Sequence, residues 1–207
     1  GSQFSVLRRT KTGEKHEHLG NIDLQVPGRH NILNALAAIV VSDRLGMPFQ
    51  RIAESIQHFQ GVKRRFEIRW RDEKRKLVIV DDYGHHPTEI KLTLKAIREK
   101  HPKARILCVF QPHQYSRTYL LLKEFARAFN HADEVLIPNI YKVRDSEKDI
   151  QKISTEKLIS AIKKFHKKVH NGHGLTQTAE YIKKNHRRFD LIVTMGAGDI
   201  GGIYKML

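Results

Sequence analysis

Apolar residues recur along the chain with two different periods. Over residues 3–26 they alternate loosely with polar ones, which predicts strands joined by a hairpin turn at Thr12-Gly13. Apolar positions three and four apart then predict helices over residues 32–45 and 49–59. A sheet this small cannot make its own core, so we expect it to pack on these helices or on chain outside this sequence.

From residue 66 onward, short β-branched runs alternate with helical spacing. Residues 66–71 and 76–81 predict a hairpin around the polar turn 72–75. The later predicted elements are strands at 105–110, 134–137, 168–170 and 191–195, helices at 87–100, 119–129, 155–165 and 175–185, and a last segment at 199–207. This alternation predicts an α/β domain with a mostly parallel, doubly wound sheet and helices on both faces.

Composition and charge limit the possible classes of protein. A chain of 207 residues with 40% hydrophobic residues suits one domain or two small ones. The net charge of +16 could attract nucleic acid, a membrane face or anionic small molecules. The favoured interpretation is a solvated, lysine-rich surface of a heat-adapted protein. A single cysteine, Cys108, excludes a disulfide within the chain and leads us to expect a cytoplasmic protein. The chain has no apolar run long enough to span a bilayer, and we expect no membrane partner.

Three predicted strands end in polar, chemically reactive residues. Val78–Val80 leads into Asp81, Asp82, Tyr83, Gly84, His85, His86 and Pro87. Phe110 leads into Gln111, Pro112, His113, Gln114, Tyr115, Ser116, Arg117 and Thr118, and Met195 leads into Gly196, Ala197, Gly198 and Asp199. Ligands bind at the carboxyl ends of strands in open α/β sheets, so we expect these segments to converge on one edge.

Each segment also has a simpler explanation. His85 and His86 before Pro87 could be exposed histidines at the start of a helix, and a zinc site with His113 is unfavoured because adjacent histidines point apart. Ser116 near His113 suggests a nucleophile, but the G-x-S-x-G pattern is missing. The Gly-Ala-Gly-Asp turn could be only a tight turn, or it could offer backbone N–H groups to an anion.

Polar residues at the start of the helix over 32–45 leave two possibilities open. Asn31 or His30 could cap the helix, but a cap does not explain Asn34, one turn further along the same face. Amides in this position could instead bind a purine ring. The basic run Lys63-Arg64-Arg65 is either a solvated surface or a domain hinge that carries a phosphate-binding arginine, and it places a domain boundary near Arg65.

Five segments together closely resemble the Mur ligases over essentially all of residues 3–207: GRHNILNALAA, GVKRRFE, DDYGHHPTEI, FQPHQYSRT and TMGAGDI. DDYGHHP with QPH-x-YSRT is most similar to the members that add L-alanine to UDP-N-acetylmuramate in peptidoglycan synthesis, and the members that recycle murein tripeptide are the alternative. A basic nucleic-acid-binding module is a further, weaker alternative that rests on charge alone, and we expect no nucleic-acid partner.

The resemblance implies two parts of a larger enzyme. Residues 1–65 would be a small α+β piece at the end of the central ATP-binding domain, and residues 66–207 the Rossmann-like C-terminal domain. The family uses ATP and Mg²⁺ to make an acyl phosphate that the amine of the amino acid then attacks. No G-x-x-x-x-G-K-[ST] loop occurs in the sequence, so the main Mg²⁺ ligands are expected elsewhere and the chain alone is expected to be inactive.

For the nucleotide, the resemblance implies five residues of this chain. His30, Asn31 and Asn34 would lie at the adenine. Arg65 would reach the nucleotide phosphates. Asp82 would meet the ribose or a phosphate-linked water.

For the amino acid and the acyl phosphate, the resemblance implies Tyr83, His85, His113 and Arg117. His85, His113 and Arg117 are the expected catalytic residues, and Arg117 would hold the alanine carboxylate or the transferred charge. We also expect His85 and Arg117 to follow neighbouring strands. One position departs from the family, since Gln114 stands where arginine is common and cannot form the charged bidentate contact.

Overall fold

The computed structural model describes residues 1–9, 15–74 and 77–207, which form two compact units, residues 1–62 and residues 63–207. The turn predicted at Thr12-Gly13 lies outside the described residues, as do the end of the 72–75 turn and the first residue of the strand predicted at 76–81. Over the described ranges, no helix combines the length and the apolar character needed to cross a membrane.

In the first unit a two-stranded antiparallel sheet packs against two helices. The elements are β1 (Ser2–Arg9), β2 (His16–Leu24), α1 (Arg29–Arg44) and α2 (Phe49–Gln57). Its small core consists of Val6, Ile22, Leu24, Ala35, Ile39 and Ile52. Pro48 precedes the first turn of α2, and Gly46 follows α1 with a positive φ of 82°, which suits glycine.

The second unit contains a six-stranded sheet in the order β3-β4-β8-β5-β6-β7. Its strands are β3 (Glu67–Asp72), β4 (Leu77–Asp82), β5 (Ile106–Phe110), β6 (Glu134–Ile137), β7 (Val169–Asn171) and β8 (Leu191–Met195). Only the β3–β4 pair is antiparallel among these six, which confirms the predicted mostly parallel sheet.

Helices cover both faces of this sheet, as the alternating pattern predicts. They are α3 (Pro87–Lys100), α4 (Tyr115–Leu120), α5 (Leu122–Ala126), α6 (Glu147–Lys152), α7 (Thr155–Lys163) and α8 (Leu175–Asn185), with 3₁₀ helices at His186–Arg188 and Asp199–Met206. The larger core, on one face, includes buried residues of α3, α5 and α7. On the other face, α8 and the last 3₁₀ helix pack through Ala179, Ile182, Ile200 and Ile203. Both cores are continuous apolar layers, as expected for strands buried on both sides.

Two helical segments differ from the prediction. The helix expected over 119–129 is instead α4 and α5, which begin earlier and are interrupted at Leu121. The short helix α6 was not predicted, because it buries none of its residues and so leaves no apolar period. Its start is fixed by a capping box, in which the Ser146 side chain accepts from the Asp149 N–H and the Asp149 carboxylate accepts from the Ser146 N–H.

Candidate functional site

The three polar strand ends lie side by side at the carboxyl edge of the second unit. Strands β4, β8 and β5 are adjacent and parallel, and Met195 is in register with both Asp82 and Phe110, so the three strands end level. The expectation that His85 and Arg117 follow neighbouring strands is wrong, because β8 lies between β4 and β5. Side chains must therefore reach across β8 to meet.

Asp82 is a nearly enclosed carboxylate at the end of β4. It accepts hydrogen bonds from the backbone N–H groups of Phe66 (2.9 Å) and Gly84 (2.7 Å) and is 4% exposed. Burial raises the pKa of Asp82 above its ordinary value, although both hydrogen bonds oppose the shift. In this structure Asp82 therefore fixes the turn that presents Tyr83 and His85.

The start of α3 fixes the backbone of His85 and His86. Glu89 accepts hydrogen bonds from the N–H groups of His85 (3.0 Å) and His86 (3.1 Å), while the His86 ring accepts from the Thr88 N–H (3.2 Å). Burial alone would raise the pKa of Glu89, but these backbone hydrogen bonds, together with Arg65 and the charge of His85, outweigh it and hold the pKa below its ordinary value. His86 is thus a helix cap, whereas the side chain of His85 is left to face the strand ends.

Four rings form a chain across the strand ends. Centroid distances are 5.5 Å from Tyr83 to His85, 5.9 Å from His85 to His113, and 5.6 Å from His113 to Tyr141, which stacks on it with 17° between the planes. Nδ1 of His113 and Nη1 of Arg117 are both enclosed and have no hydrogen-bond partner in the described part of the chain. Buried polar atoms without partners are costly, so these two point to a ligand.

The electrostatics of this cluster favour a neutral imidazole beside a fixed positive charge. Burial lowers the pKa of His113 below its ordinary value, and the nearby Arg117 and His85 lower it further, whereas Asp145 opposes them. The pair can therefore hold an anion through Arg117 while His113 remains able to accept a proton.

Two residues that the sequence analysis missed support the cluster. The Tyr141 N–H donates to the Pro112 carbonyl (2.8 Å) and the Tyr141 carbonyl accepts from the Gln114 N–H (3.0 Å), which ties the loop after β6 beside His113. Asp145 accepts from the Ser116 N–H (3.1 Å) and hydroxyl (3.2 Å). Tyr141 and Asp145 lie in an irregular segment without periodicity, so no sequence signal marked them.

Contacts with the loop after β6 also indicate the roles of Ser116 and Gln114. The hydroxyl of Ser116 donates to a carboxylate, a contact that fits a structural role better than an activated nucleophile. The Gln114 amide donates to the Val143 carbonyl (3.3 Å). Gln114 thus holds the loop after β6 in place.

A half-buried arginine, Arg64, binds the Gly-Ala-Gly-Asp turn. The Arg64 guanidinium donates to the carbonyls of Gly196 (2.6 Å) and Gly198 (3.3 Å) and to the fully buried Asp81 (2.9 Å). A Cβ at Gly201 would lie 2.7 Å from this guanidinium, so a larger residue there would require the Arg64 side chain to shift. The carbonyls of Gly196 and Gly198 therefore face a cation in this turn.

Arg65 has a different environment from Arg64. It pairs with Glu89 at 3.2 Å near the surface, with its side chain 48% exposed. Its guanidinium also lies 5.8 Å from the centre of the Tyr83 ring, and that of Arg64 lies 5.0 Å from it. Arg65 is therefore accessible beside the ring cluster, as a phosphate ligand must be.

The three residues expected at the adenine lie in the first turns of α1, in the first unit. The helix begins after Gly28 without a side-chain cap, and the Asn31 amide instead donates to the Pro27 carbonyl (2.7 Å). His30 and Asn31 are half-buried and Asn34 is exposed. Capping does not account for these residues, and the amide of Asn34 is accessible to a ligand.

Among the residues described, no group of three or more His, Cys, Asp or Glu side chains is placed to hold a metal ion.

A mostly parallel sheet with a polar site at its carboxyl edge defines an α/β ligand-binding domain. The family model described as Mur ligase, glutamate ligase domain, matches residues 64–198, and the chain belongs to this family. The matched range contains the four residues of the ring cluster, Tyr83, His85, His113 and Tyr141.

Relatives with known names are also similar over most of the chain. The UDP-N-acetylmuramate–L-alanine ligase of Clostridium acetobutylicum is 43% identical over 99% of this chain and 42% of its own length. That of Sulfurihydrogenibium sp. is 40% identical over 90% of this chain and 40% of its own length. The crystal structure of the UDP-N-acetylmuramate–alanine ligase of Thermotoga maritima matches with a TM-score of 0.71 and 29% identity, over 90% of this chain and 38% of that one. The chain therefore spans about two fifths of the length of these relatives.

Proposed function

We propose that this chain is the amino-acid-binding portion of an ATP-dependent ligase that joins L-alanine to UDP-N-acetylmuramate through an acyl phosphate. The observation that carries the proposal is the cluster of His85, His113 and Arg117 at the strand ends. Nδ1 of His113 and Nη1 of Arg117 are enclosed and have no partner among the described residues, so they need an anionic or polar ligand. Relatives at 40% and 43% identity bear the name of that reaction.

In the proposed reaction, the amine nitrogen of L-alanine attacks the carbonyl carbon of the acyl phosphate. The new C–N bond forms, the bond from carbon to the phosphate oxygen breaks, and the nitrogen loses a proton. Arg117 holds the carboxylate of the amino acid through a charge-assisted hydrogen bond, so the amine is correctly placed for attack. His113 is kept neutral by burial and accepts the proton from the amine.

The residues proposed to bind the nucleotide differ in how well their surroundings suit that role. ATP would supply the phosphoryl group, and the exposed Arg65 suits a contact with its phosphates. Asn34 has the exposed amide that a purine edge requires. Asp82 fits poorly as a ribose ligand, because it is enclosed and already accepts two backbone N–H groups. We assign Mg²⁺ no ligand in this chain, and we propose that the chain alone does not turn over ATP.

The substrate is tested with the complete ligase that contains this chain. We expect phosphate release from ATP with UDP-N-acetylmuramate and L-alanine, and much less with murein tripeptide in place of L-alanine. Preference for the tripeptide would transfer the proposal to the recycling ligase of the same family. Robust phosphate release by the 207-residue chain alone would contradict the assignment of the phosphate-binding machinery to another part of the enzyme.

Arg117 is tested in the same assay. Arg117→Ala should remove a contact of roughly 1.5–3 kcal/mol, which corresponds to about a 10- to 100-fold loss in kcat/KM. A rise in KM for L-alanine would indicate a contact to the bound carboxylate, and a fall in kcat would indicate charge in the transition state. Arg117→Lys should restore only part, because lysine lacks the planar fork. Lys123→Ala, at an exposed position on α5, should change little, and an equal loss there would refute a specific role for Arg117.

A further inference from the structure

The edge of the sheet opposite the candidate site is formed by the segments that enter the parallel strands. Strands β5, β6, β7 and β8 run in the same direction and are held in one register, so their amino ends lie together. The entering segments are residues 100–105, 127–133, 163–168 and 183–190. With neighbouring strands roughly 5 Å apart, these segments span a continuous surface about 15 Å wide plus the flanking helix ends.

This surface, which we call the basic edge, has an excess of unpaired positive charge. Its exposed cations are Lys100, Lys103, Arg127, Lys163, Lys164, Lys167, Lys168, Lys183, Lys184 and Arg187. Carboxylates in the entering segments are already taken, since Asp133 pairs with Arg98 at 2.7 Å and Asp190 with Arg105 at 2.9 Å. Across the described ranges, none of the ten cations forms an ion pair. Such crowding is unfavourable unless an anionic partner binds.

An aromatic side chain lies within the densest part of the basic edge. Phe165 is 49% exposed, and lysines flank it in the sequence Lys-Lys-Phe-His-Lys-Lys over residues 163–168. The Arg127 guanidinium lies 4.7 Å from the ring centre. An exposed ring among lysines is typical of surfaces that bind anionic lipid, where the ring enters the headgroup layer and the ammonium groups meet the phosphates.

We propose that the basic edge docks this protein on an anionic lipid membrane. Most of the cations are lysines, strongly hydrated point charges that suit a diffuse anionic surface better than a planar base or a single phosphate. Nucleic-acid grooves that bind single strands present several stacking aromatics, whereas the segment over residues 163–168 has one. The sequence alone led us to expect a solvated surface and no membrane partner. The concentration of the charges on one edge, away from the candidate site of the same unit, changes that expectation.

The test is cosedimentation of the 207-residue chain with vesicles of phosphatidylcholine, with or without one third phosphatidylglycerol. We expect binding only to the anionic vesicles, with a steep loss between about 0.05 and about 0.5 M NaCl as screening increases. Neutralising three lysines (Lys164→Gln, Lys167→Gln and Lys168→Gln together) should weaken binding roughly 100-fold, at about a factor of five for each lysine. The matched control replaces Lys91, Lys148 and Lys205 by Gln, which changes the net charge equally at exposed positions outside the basic edge.

Phe165 provides a second, independent measurement. Trp70 is the only tryptophan, so Trp70→Phe with Phe165→Trp leaves a single tryptophan, at the basic edge, whose emission can be excited selectively. Its emission should shift to the blue with anionic vesicles and stay unchanged with neutral ones. Equal weakening by both triple variants would overturn the proposal in favour of a net-charge effect. Binding to a random DNA duplex with none to vesicles would assign the edge to nucleic acid, and binding to neither would leave it a solvated surface.

Discussion

At the scale of single residues, the two histidines of the ring cluster differ in what holds them. His85 is placed by its own backbone, because Glu89 binds its N–H, and its Nδ1 lies 3.1 Å from the Tyr83 carbonyl. His113 is placed by neighbours, because Tyr141 stacks on it and Arg117 lies near it. The protonation of His113 therefore depends on side chains that can be changed one at a time.

The pKa of His113 should respond to Arg117. Burial is the first cause of its lowered pKa and Arg117 the second, so Arg117→Ala should raise the pKa part of the way toward 6.5, and Arg117→Lys should leave it low. An NMR titration of the imidazole protons in the 207-residue chain measures this directly. Lys123→Ala is the control and should leave the titration unchanged. An unaltered pKa in Arg117→Ala would show that Arg117 does not act on His113.

The same shift fixes the sign of a pH effect on stability. Since the folded pKa of His113 lies below 6.5, the unfolded chain takes up the proton first as the pH falls. The contribution of His113 to the free energy of unfolding is therefore complete above pH 6.5 and is lost between that pH and the lower folded pKa.

At the scale of elements, the sequence predicted what depends on periodicity and missed what depends on tertiary contact. The bounds of α3, β6, α8 and β8 agree with the structure, because each has a clear apolar period or a sharp start signal such as Pro87. The break between α4 and α5 at Leu121 has no glycine or proline to mark it in the sequence.

Arg64 and Arg65 show the same limit within one short run. They are adjacent and chemically identical, yet only Arg64 enters the turn after β8, 132 residues further along the chain. Such a long-range partner cannot be found from spacing alone. The ring cluster was predicted as a set of candidates, whereas its supports, Tyr141 and Asp145, were not.

Arg64 should therefore matter for stability far more than Arg65. Arg64→Ala leaves the buried Asp81 with the Thr194 hydroxyl (2.9 Å) and one more distant cation, Arg69 at 3.8 Å, and it removes a donor from the carbonyls of Gly196 and Gly198. We expect a loss of about 2–4 kcal/mol in the free energy of unfolding, whereas the exposed Arg65–Glu89 pair is worth about 0–1 kcal/mol. Chemical denaturation followed by the fluorescence of Trp70, which lies in β3, measures both variants. Equal losses would mean that the contacts of Arg64 do not hold the turn.

At the scale of the whole molecule, the two units differ in how much core each possesses. The second unit has two apolar layers around a six-stranded sheet. The first has one small cluster, and the outer side of its helix α1 exposes Leu33, Val40, Val41 and Leu45. A domain of about 60 residues is marginal even with a complete core. Such exposed apolar surface also indicates that the first unit is the less stable of the two.

This difference predicts separate opening of the units. Native-state hydrogen exchange should show amides of β2 and α1 opening at a lower free energy than those of β5 and β8, which are buried on both sides. Residues 63–207 expressed alone should unfold cooperatively, at the denaturant midpoint that β5 and β8 show in the whole chain, because their core is complete without the first unit. Protection of α1 equal to that of β5 would require another surface to cover Val40 and Val41. In that case the variant Val40→Ser with Val41→Ser should lower the protection of α1 and leave that of β5 intact. This result would locate the contact that protects α1 on its outer side.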